Sequence, residues 1–282
     1  MTKTRIVSAL AGVALAAGLT LAVEPLLGGG AGSAPGPGSR AATIQKVFPS
    51  AIRLQVLAAG EVVRSASGIA FAHRGARTYI LTNAHVVEQS SSWKQPVEVQ
   101  AISGTGPAVT VRVLATGRMP DVDLAVLEVP GELPITPLAA DDSLELGEDL
   151  IVIGAPFGKG LSVAAGIVSQ IEYGHAEGAG TPAPPTALKT DAAIGYGSSG
   201  GGVFGVVGAR LVGVVEGYRT ARVAFGKDQE QYAFDVPMPG ETFVAPAAKI
   251  RKFLRDSGLA DLAPAPPPGN RGAVASPAPP RL

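Results

Sequence analysis

Residues 195–200, GYGSSG, run directly into residues 201–207, GGVFGVV, and this junction decides the fold. A Gly-x-Gly-x-x-Gly segment binds a dinucleotide only where its last glycines open a helix, whose N-terminus then faces the pyrophosphate. The residues that follow here are glycines, valines and one phenylalanine, which predict a strand instead. The segment therefore predicts no nucleotide site, and it leaves Ser199 as a candidate nucleophile.

The order of reactive residues along the chain narrows the chemistry of Ser199. Residues 197–201 also fit Gly-x-Ser-x-Gly, the turn that carries the nucleophile of α/β-hydrolases, but that fold needs a histidine after the serine. None follows Ser199, and no aspartate precedes His85, so the orders Ser-Asp-His and Asp-His-Ser are both excluded. Using His175 instead of His85 in the order Asp-His-Ser would leave only 24 residues from His175 to Ser199, and these residues show no helical pattern of the kind that an α/β fold needs. The remaining order is His, Asp, Ser, which His85, Asp123 and Ser199 supply.

Each of these three residues has a structural explanation when it is taken alone. His85 follows residues 79–82, YILT, at the predicted end of a buried strand, where a partly buried histidine is common. Asp123 opens the apolar residues 124–127, and a carboxylate there commonly forms a turn, although it can also orient an imidazole. Glycines surround Ser199, which fits a flexible turn or a loop whose N–H groups reach a carbonyl oxygen. Together the three predict nucleophilic catalysis.

Composition excludes several other classes of protein. The 282 residues carry 23 Lys and Arg against 23 Asp and Glu, so no basic excess favours nucleic acid binding. The absence of Cys removes disulfides, thiolate nucleophiles and thiolate zinc sites, and only three histidines remain as nitrogen ligands. We therefore expect no metal and no cofactor. An apolar fraction of 46% is enough for a packed core.

The two ends of the chain are predicted to lie outside the folded domain. Residues 6–23 are an unbroken run of apolar and small residues after a basic start, which predicts an export signal. A cleaved signal peptide and an uncleaved membrane anchor both fit this length, and either would place the protein outside the cytoplasm, in the periplasm or secreted. The predicted divisions are residues 1–23 (signal or anchor), 24–40 (Gly/Pro-rich linker), 41–260 (folded domain) and 261–282 (Pro-rich disordered tail).

The folded domain has the pattern of an all-β protein. About ten short β-branched runs between residues 51 and 218 alternate with turn residues. One later stretch, residues 245–257, places Ile250, Phe253 and Leu254 on one helical face and predicts a closing helix.

Four motifs together resemble the HtrA (Deg) branch of the trypsin-like serine proteases, without a PDZ domain after the protease domain. They are LTNAHVV (81–87), DLAVL (123–127), IGAPFGKGLSVAAGIVSQI (153–171) and TDAAIGYGSSGGGVF (190–204). The resemblance covers about residues 45–258. It implies a chymotrypsin-like fold of two six-stranded antiparallel β-barrels with a C-terminal helix. It also implies a catalytic triad of His85, Asp123 and Ser199, and an oxyanion hole formed by the backbone N–H groups of Gly197 and Ser199.

The same resemblance implies a substrate site. The residue six positions before the nucleophile, Ala193, would form the base of the S1 pocket and favour a small apolar P1 residue. The residues that would form one wall, and whose backbone would pair with an extended substrate, are Val214, Val215, Glu216 and Gly217. A Glu216 carboxylate in solvent and one that attracts a basic substrate residue both fit the sequence.

The implied function is a serine endopeptidase that cleaves exported proteins, misfolded ones included, through an acyl-enzyme intermediate. Ser198 stands where digestive relatives carry an Asp that pairs with a newly made N-terminus, so cleavage activation is not expected. The alternative is a catalytically silent or mainly binding protein of the same fold, tethered outside the cytoplasm. An exported β-sandwich adhesin is an unrelated third interpretation. A monomer and a homo-oligomer both fit the sequence.

Overall fold

The structure is a computed structural model that describes residues 35–36, 38–90, 96–139, 144–175, 183–225 and 232–263. The predicted signal or anchor segment lies outside the described residues, as do most of the predicted linker and of the Pro-rich tail. Within the described part of the chain, no helix is both long and apolar enough to cross a bilayer.

The first seven strands form one antiparallel sheet. They are β1 (Ala51–Ala58), β2 (Glu61–His73), β3 (Arg77–Thr82), β4 (Val97–Ser103), β5 (Val109–Thr110), β6 (Arg112–Thr116) and β7 (Ala125–Pro130). Their order in the sheet is β5-β4-β1-β2-β3-β7-β6.

The first sheet corrects one detail of the predicted fold, because it has seven strands and an open hydrogen-bond ladder instead of six strands in a closed barrel. Its two edge strands, β5 and β6, are consecutive and are separated by Val111 alone. β5 pairs with β4, and β6 pairs with β7. The segment from Val109 to Thr116 thus pairs with β4 before Val111 and with β7 after it. This segment brings the two ends of the sheet together without joining them in one continuous ladder.

The second sheet closes completely. Its strands are β8 (Asp149–Gly154), β9 (Ser162–Tyr173), β10 (Pro185–Thr190), β11 (Gly202–Gly205), β12 (Arg210–Phe225) and β13 (Tyr232–Pro246). They form a closed barrel in the order β10-β13-β12-β11-β8-β9, so the predicted second six-stranded barrel is confirmed.

Three α-helices accompany the described strands, namely α1 (Arg40–Val47), α2 (Ala84–Val87) and α3 (Ala247–Asp256). The predicted closing helix is α3, and its Ile250, Phe253 and Leu254 are buried as expected. We did not predict α1, which begins inside the predicted linker because the Ser39 side chain caps it by accepting a hydrogen bond from the Ala42 N–H. The packed chain also continues beyond residue 260, since Leu262 is buried.

Alternating side chains build a core inside each sheet and a third core between them. Leu150 and Val152 of β8 point into the closed barrel, whereas Ile151 and Ile153 belong to a cluster that also contains Phe71 of β2. Strands buried on both faces carry continuous apolar runs instead of an alternating pattern. The chain segments that carry the candidate site residues lie where the two sheets meet.

An ion cluster on the first sheet carries a buried carboxylate. Glu128 of β7 is 5% exposed and accepts hydrogen bonds from Arg77 (2.7 Å) and Arg112 (2.8 Å). Burial raises the pKa of Glu128, but the hydrogen bond and charge of Arg112, together with the charge of Arg77, outweigh burial and hold it below its usual value.

We expect Glu128→Gln to lower Tm by about 5 °C at pH 7, because two guanidinium groups lose their counter-charge. The folded-state pKa lies below the ordinary value of 4.5, so the stabilisation is fully present above that pH and is lost as pH falls through the folded-state pKa. Thermal melts at a series of pH values from neutral to acidic should therefore show that the difference in Tm between wild type and Glu128→Gln becomes smaller as the pH falls. Glu61→Gln, at the exposed start of β2, is the matched control and should change Tm little. A difference that did not vary with pH would contradict this explanation.

Candidate active site

His85 and Asp123 form a close pair beside the end of the first sheet. His85 lies in α2, directly after β3, and Asp123 lies two residues before β7. The imidazole Nδ1 is 2.7 Å from Asp123 Oδ2, and the backbone N–H of His85 donates to Asp123 Oδ1 at 3.0 Å. A carboxylate can only accept, so Nδ1 carries the hydrogen and Nε2 keeps its lone pair. The imidazole is thereby prepared to act as a base.

Two further side chains hold this pair in place. The Asn83 amide donates to the backbone carbonyl of Asp123 at 2.8 Å. The Arg64 guanidinium, reaching across from β2, donates to the carbonyls of His85 and Val86. A four-residue helix has little stability of its own, and a cation at its C-terminal carbonyls stabilises it. Sequence reasoning missed Arg64, because its contact joins strand β2 to helix α2, which only the fold brings together.

Ser199 is attached to the same region through the backbone of β2. The Ser67 N–H donates to the Ser199 carbonyl at 2.9 Å, and the Ser67 carbonyl accepts from Thr82 Oγ1 at 2.8 Å. Thr82 ends β3, three residues before His85. The Ser199 hydroxyl makes no hydrogen bond to any described residue. Catalytic hydrogen bonds are often long before substrate binds, so its position beside the His85 segment is compatible with later contact.

Gly200 is required for this attachment. A Cβ at this position would lie 2.1 Å from the Ser67 carbonyl oxygen and 2.3 Å from Thr82 Oγ1, and its φ is +82°. Both the space and the backbone conformation exclude other residues. From the sequence we assigned this glycine a different role, which was to leave space for backbone N–H groups to reach a carbonyl oxygen.

The loop before Ser199 presents unused backbone donors. The Tyr196 carbonyl accepts from the Phe157 N–H at 2.7 Å, and because a trans peptide points its C=O and N–H in opposite directions, the N–H of Gly197 points away from Phe157. Gly197 has a φ of +94°, which favours glycine. Neither the Gly197 nor the Ser199 N–H donates to an acceptor in the described ranges. Both remain available to a negatively charged oxygen.

A buried hydroxyl fixes that loop to the two sheets. Ser67 Oγ donates to the Gly197 carbonyl at 2.8 Å and accepts from the Ala155 N–H at 2.7 Å. Ser198 Oγ accepts from the Gly195 N–H at 3.3 Å. Sequence reasoning missed Ser67, which lies on a different strand from the loop that it holds. The loop is ordered by neutral hydrogen bonds.

A small cavity of about 50 Å³ lies against this loop. It is bordered by Ala193, Gly195 and Ser198 on one side and by Val152, Gly154, Pro156, Ser162, Ala164 and Ile194 on the others. No residue in this lining is charged, so it offers no counter-charge to a buried ammonium group.

The predicted substrate residues occupy two separate places. Val214 and Val215 are buried in β12, and Val215 exchanges hydrogen bonds of 2.9 Å with the Gly200 N–H and the Gly201 carbonyl. The partly exposed Gly217 follows on the same strand. Ala193 is exposed and borders the small cavity, whereas none of residues 214–217 lines it. The structure does not join Ala193 and this wall into one described pocket.

Glu216 has a partner that neither sequence interpretation anticipated. Its carboxylate bonds to Lys249 of α3 at 2.7 Å, and its side chain is 19% exposed. The charge is therefore balanced within the protein, and Glu216 is not a solvated surface carboxylate.

The remaining histidines do not assemble a metal site. His73 Nε2 bonds to the Leu133 carbonyl at 2.7 Å, and His175 is exposed. No group of three His, Cys, Asp or Glu side chains in the described ranges is placed to hold a metal ion.

Comparison with known proteins places this site in a family context. A family model described as a trypsin-like peptidase domain matches residues 66–214, more than half of the chain. Mouse serine protease HTRA4 is 30% identical over 222 residues, which cover 77% of this chain and 40% of that protein. Xenopus tropicalis serine protease HTRA1 is 32% identical over 178 residues, covering 63% of this chain and 33% of that protein. The chain thus spans about two fifths or less of the length of these curated relatives.

A solved structure agrees with the fold. The serine endoprotease from Yersinia pestis superposes with a TM-score of 0.56 at 21% identity, covering 78% of this chain and 66% of that one. The likeness confirms the predicted chymotrypsin-like architecture of two packed β units with a C-terminal helix.

Proposed function

We propose that this chain, which belongs to the trypsin-like peptidase family and has HtrA serine proteases among its homologues, is a serine endopeptidase. The observation that carries the proposal is the Asp123–His85 pair, with its free Nε2, on the sheet that also binds the Ser199 backbone. Two unused N–H groups lie at the same serine.

The proposed reaction begins with attack of Ser199 Oγ on the scissile carbonyl, while His85 Nε2 takes the hydroxyl proton. The oxyanion that forms accepts hydrogen bonds from the N–H groups of Gly197 and Ser199. Asp123 holds the imidazolium, which then protonates the leaving amine as the C–N bond breaks. Water, deprotonated by His85, hydrolyses the acyl-enzyme and restores Ser199.

A fluorophosphonate probe tests this function directly, because stoichiometric labelling requires an activated serine hydroxyl. We expect one label per chain, at Ser199, and none on the Ser199→Ala variant. Peptide mapping of the labelled protein identifies the site. If the folded protein were not labelled, the protease proposal would be wrong, and the catalytically silent, mainly binding alternative would replace it.

Substrate preference follows from Ala193, which we propose as the base of the S1 pocket. An uncharged methyl group cannot balance a buried P1 Arg or Lys, so we expect Val, Ala, Ile or Leu at P1. A peptide-library profile measures this preference, and a profile led by Arg or Lys would overturn the assignment. Glu216 gives a basic residue no free carboxylate, because Lys249 occupies it.

We further propose that the protease acts on exported polypeptides outside the cytoplasm. This part of the proposal depends on residues 6–23, whose apolar sequence fits a cleaved signal or an anchor. N-terminal sequencing of the mature protein distinguishes these two forms.

The order of the loop before Ser199 does not depend on a new N-terminus in this proposal, since hydrogen bonds of Ser67 and Ser198 hold the loop.

A further inference from the structure

Strand β12 continues far beyond the closed barrel. Within the barrel it pairs with β11 from Arg210 to Val214. Beyond residue 215 its only strand partner in the described ranges is β13, and pairing continues from Thr220 with Pro237 to Phe225 with Tyr232. We call residues 219–225 and 232–238 the arm. The outer edge of β12 along the arm is not paired with any described strand.

The arm is fixed at its base and apolar on one face. Arg219 and Lys189 both bond to the Glu241 carboxylate, at 3.4 and 3.1 Å, where the arm leaves the barrel. Because side chains alternate along a strand, Val223 and its partner Phe234 share a face, and they are 41% and 50% exposed.

The opposite face of the arm is polar or small. Arg222 pairs in register with Asp235, and Ala224 pairs with Ala233. An exposed edge beside an apolar face is a template for adding another strand, since the backbone groups gain hydrogen bonds and exposed apolar surface is removed from water.

The free edge begins at the candidate nucleophile. Val215 of the same strand bonds to Gly200 and Gly201, the two residues after Ser199. A polypeptide that lies antiparallel to β12 with a carbonyl at Ser199 therefore runs along the arm with the residues N-terminal to the scissile bond. The same side of β12 faces the reacting residues and runs along the arm, with shifts in its register against β13 between Val215 and Gly217 and between Tyr218 and Thr220.

We propose that the arm is a distal substrate-binding edge. It takes the unprimed part of an extended polypeptide as an added β-strand on β12, with β-branched or aromatic side chains at alternate positions against Val223, while Phe234 of β13 lies one strand farther across the same face. Val223 follows Val215 by eight positions along β12, and the two register shifts between them can each remove one position from the count, so the contact falls about six to eight residues before P1. This inference rests on the proposed protease function, and it makes the preferred substrate a long, extended, alternately apolar segment.

A peptide-length series tests the proposal. The short peptide has four residues before a cleavable Val–Ala bond, and the long peptide adds six residues that alternate Val and Thr. We expect kcat/KM to rise about tenfold with the added residues, and less than twofold with a Gly/Ser extension of equal length. Val223→Asp should abolish the rise and leave short-peptide cleavage unchanged. Ala224→Asp, on the opposite face, is the matched control and should keep the rise.

Several outcomes would overturn the arm proposal without touching the protease proposal. Equal cleavage of short and long peptides by the wild-type protein is one, and an undiminished rise in Val223→Asp is another. If neither peptide is cleaved, the protease proposal fails, and the arm is then tested by fluorescence anisotropy of the labelled long peptide. Binding that is about tenfold weaker in Val223→Asp but unchanged in Ala224→Asp would support the arm. Equal binding by the wild type, Val223→Asp and Ala224→Asp would show that the arm does not bind the peptide.

Discussion

Replacing Ser199 with Ala should lower kcat for casein hydrolysis by about 10⁴- to 10⁶-fold. The hydroxyl is the proposed attacking group, and no neighbouring side chain can replace it. Ser198 is the nearest hydroxyl in the chain, but it is buried and bonded to Gly195. The remaining activity would come from the backbone donors at Gly197 and Ser199, which the substitution leaves in place.

The control for this loss is Ser103→Ala, at the end of β4 in the first sheet. That change removes the same hydroxyl from a position away from the proposed site and should leave casein cleavage unchanged. Thermal melts of both variants separate loss of chemistry from loss of folding. A folded Ser199→Ala protein that retained more than a tenth of wild-type activity would refute the proposed nucleophile.

The sequence predicted the candidate reactive residues, but it did not predict the residues that hold them in place. The order His85, Asp123, Ser199 follows from excluding other triad orders, and the structure brings the first two into direct contact. The Gly-rich flanks also lie in the loop whose Gly197 and Ser199 N–H groups have no acceptor in the described ranges. These features are local, because each depends on a short segment whose composition limits what it can do.

The supports depend on strand register, which the sequence does not encode locally. Ser67 of β2 reaches the Gly197 carbonyl across 130 positions, and Arg64 of the same strand reaches the α2 carbonyls. Neither residue has a distinctive neighbourhood in the sequence. The same holds for the break at Val111, which opens the first ladder, and for the Ser39 cap that starts α1 within a Gly/Pro-rich stretch.

Register also explains why the site lies between the two sheets. Ser67 donates its hydroxyl to the serine loop of the second sheet and its N–H to Ser199 itself, while its carbonyl accepts from Thr82. One residue of the first sheet thus fixes both the proposed nucleophile and the loop that carries the proposed oxyanion donors. Movement between the sheets would therefore disturb the proposed nucleophile and the proposed oxyanion donors together, because both are attached to β2.

Asp123→Asn should lower kcat by about 10⁴-fold while changing the fold little. The wild-type carboxylate accepts two hydrogen bonds, from the His85 N–H and from Nδ1, and the Asn83 amide holds its backbone carbonyl. An amide of the same shape has one acceptor oxygen and one donor NH₂ group. If the oxygen keeps the backbone N–H, the NH₂ group faces Nδ1 and must donate to it. The imidazole hydrogen then moves to Nε2, which loses the lone pair that would accept the Ser199 proton.

Asp121→Asn is the matched control, since it makes the same chemical change two residues earlier on an exposed side chain. It should cleave the short peptide at the wild-type rate. Fluorophosphonate labelling provides a second measurement, because it reports activation of the hydroxyl without a leaving amine, and we expect Asp123→Asn to slow labelling and peptide cleavage alike. Normal labelling with slow cleavage would mean that Asp123 serves only the later proton transfer. Normal rates in both assays would mean that Asp123 does not set the His85 tautomer, and the proposed triad would be wrong.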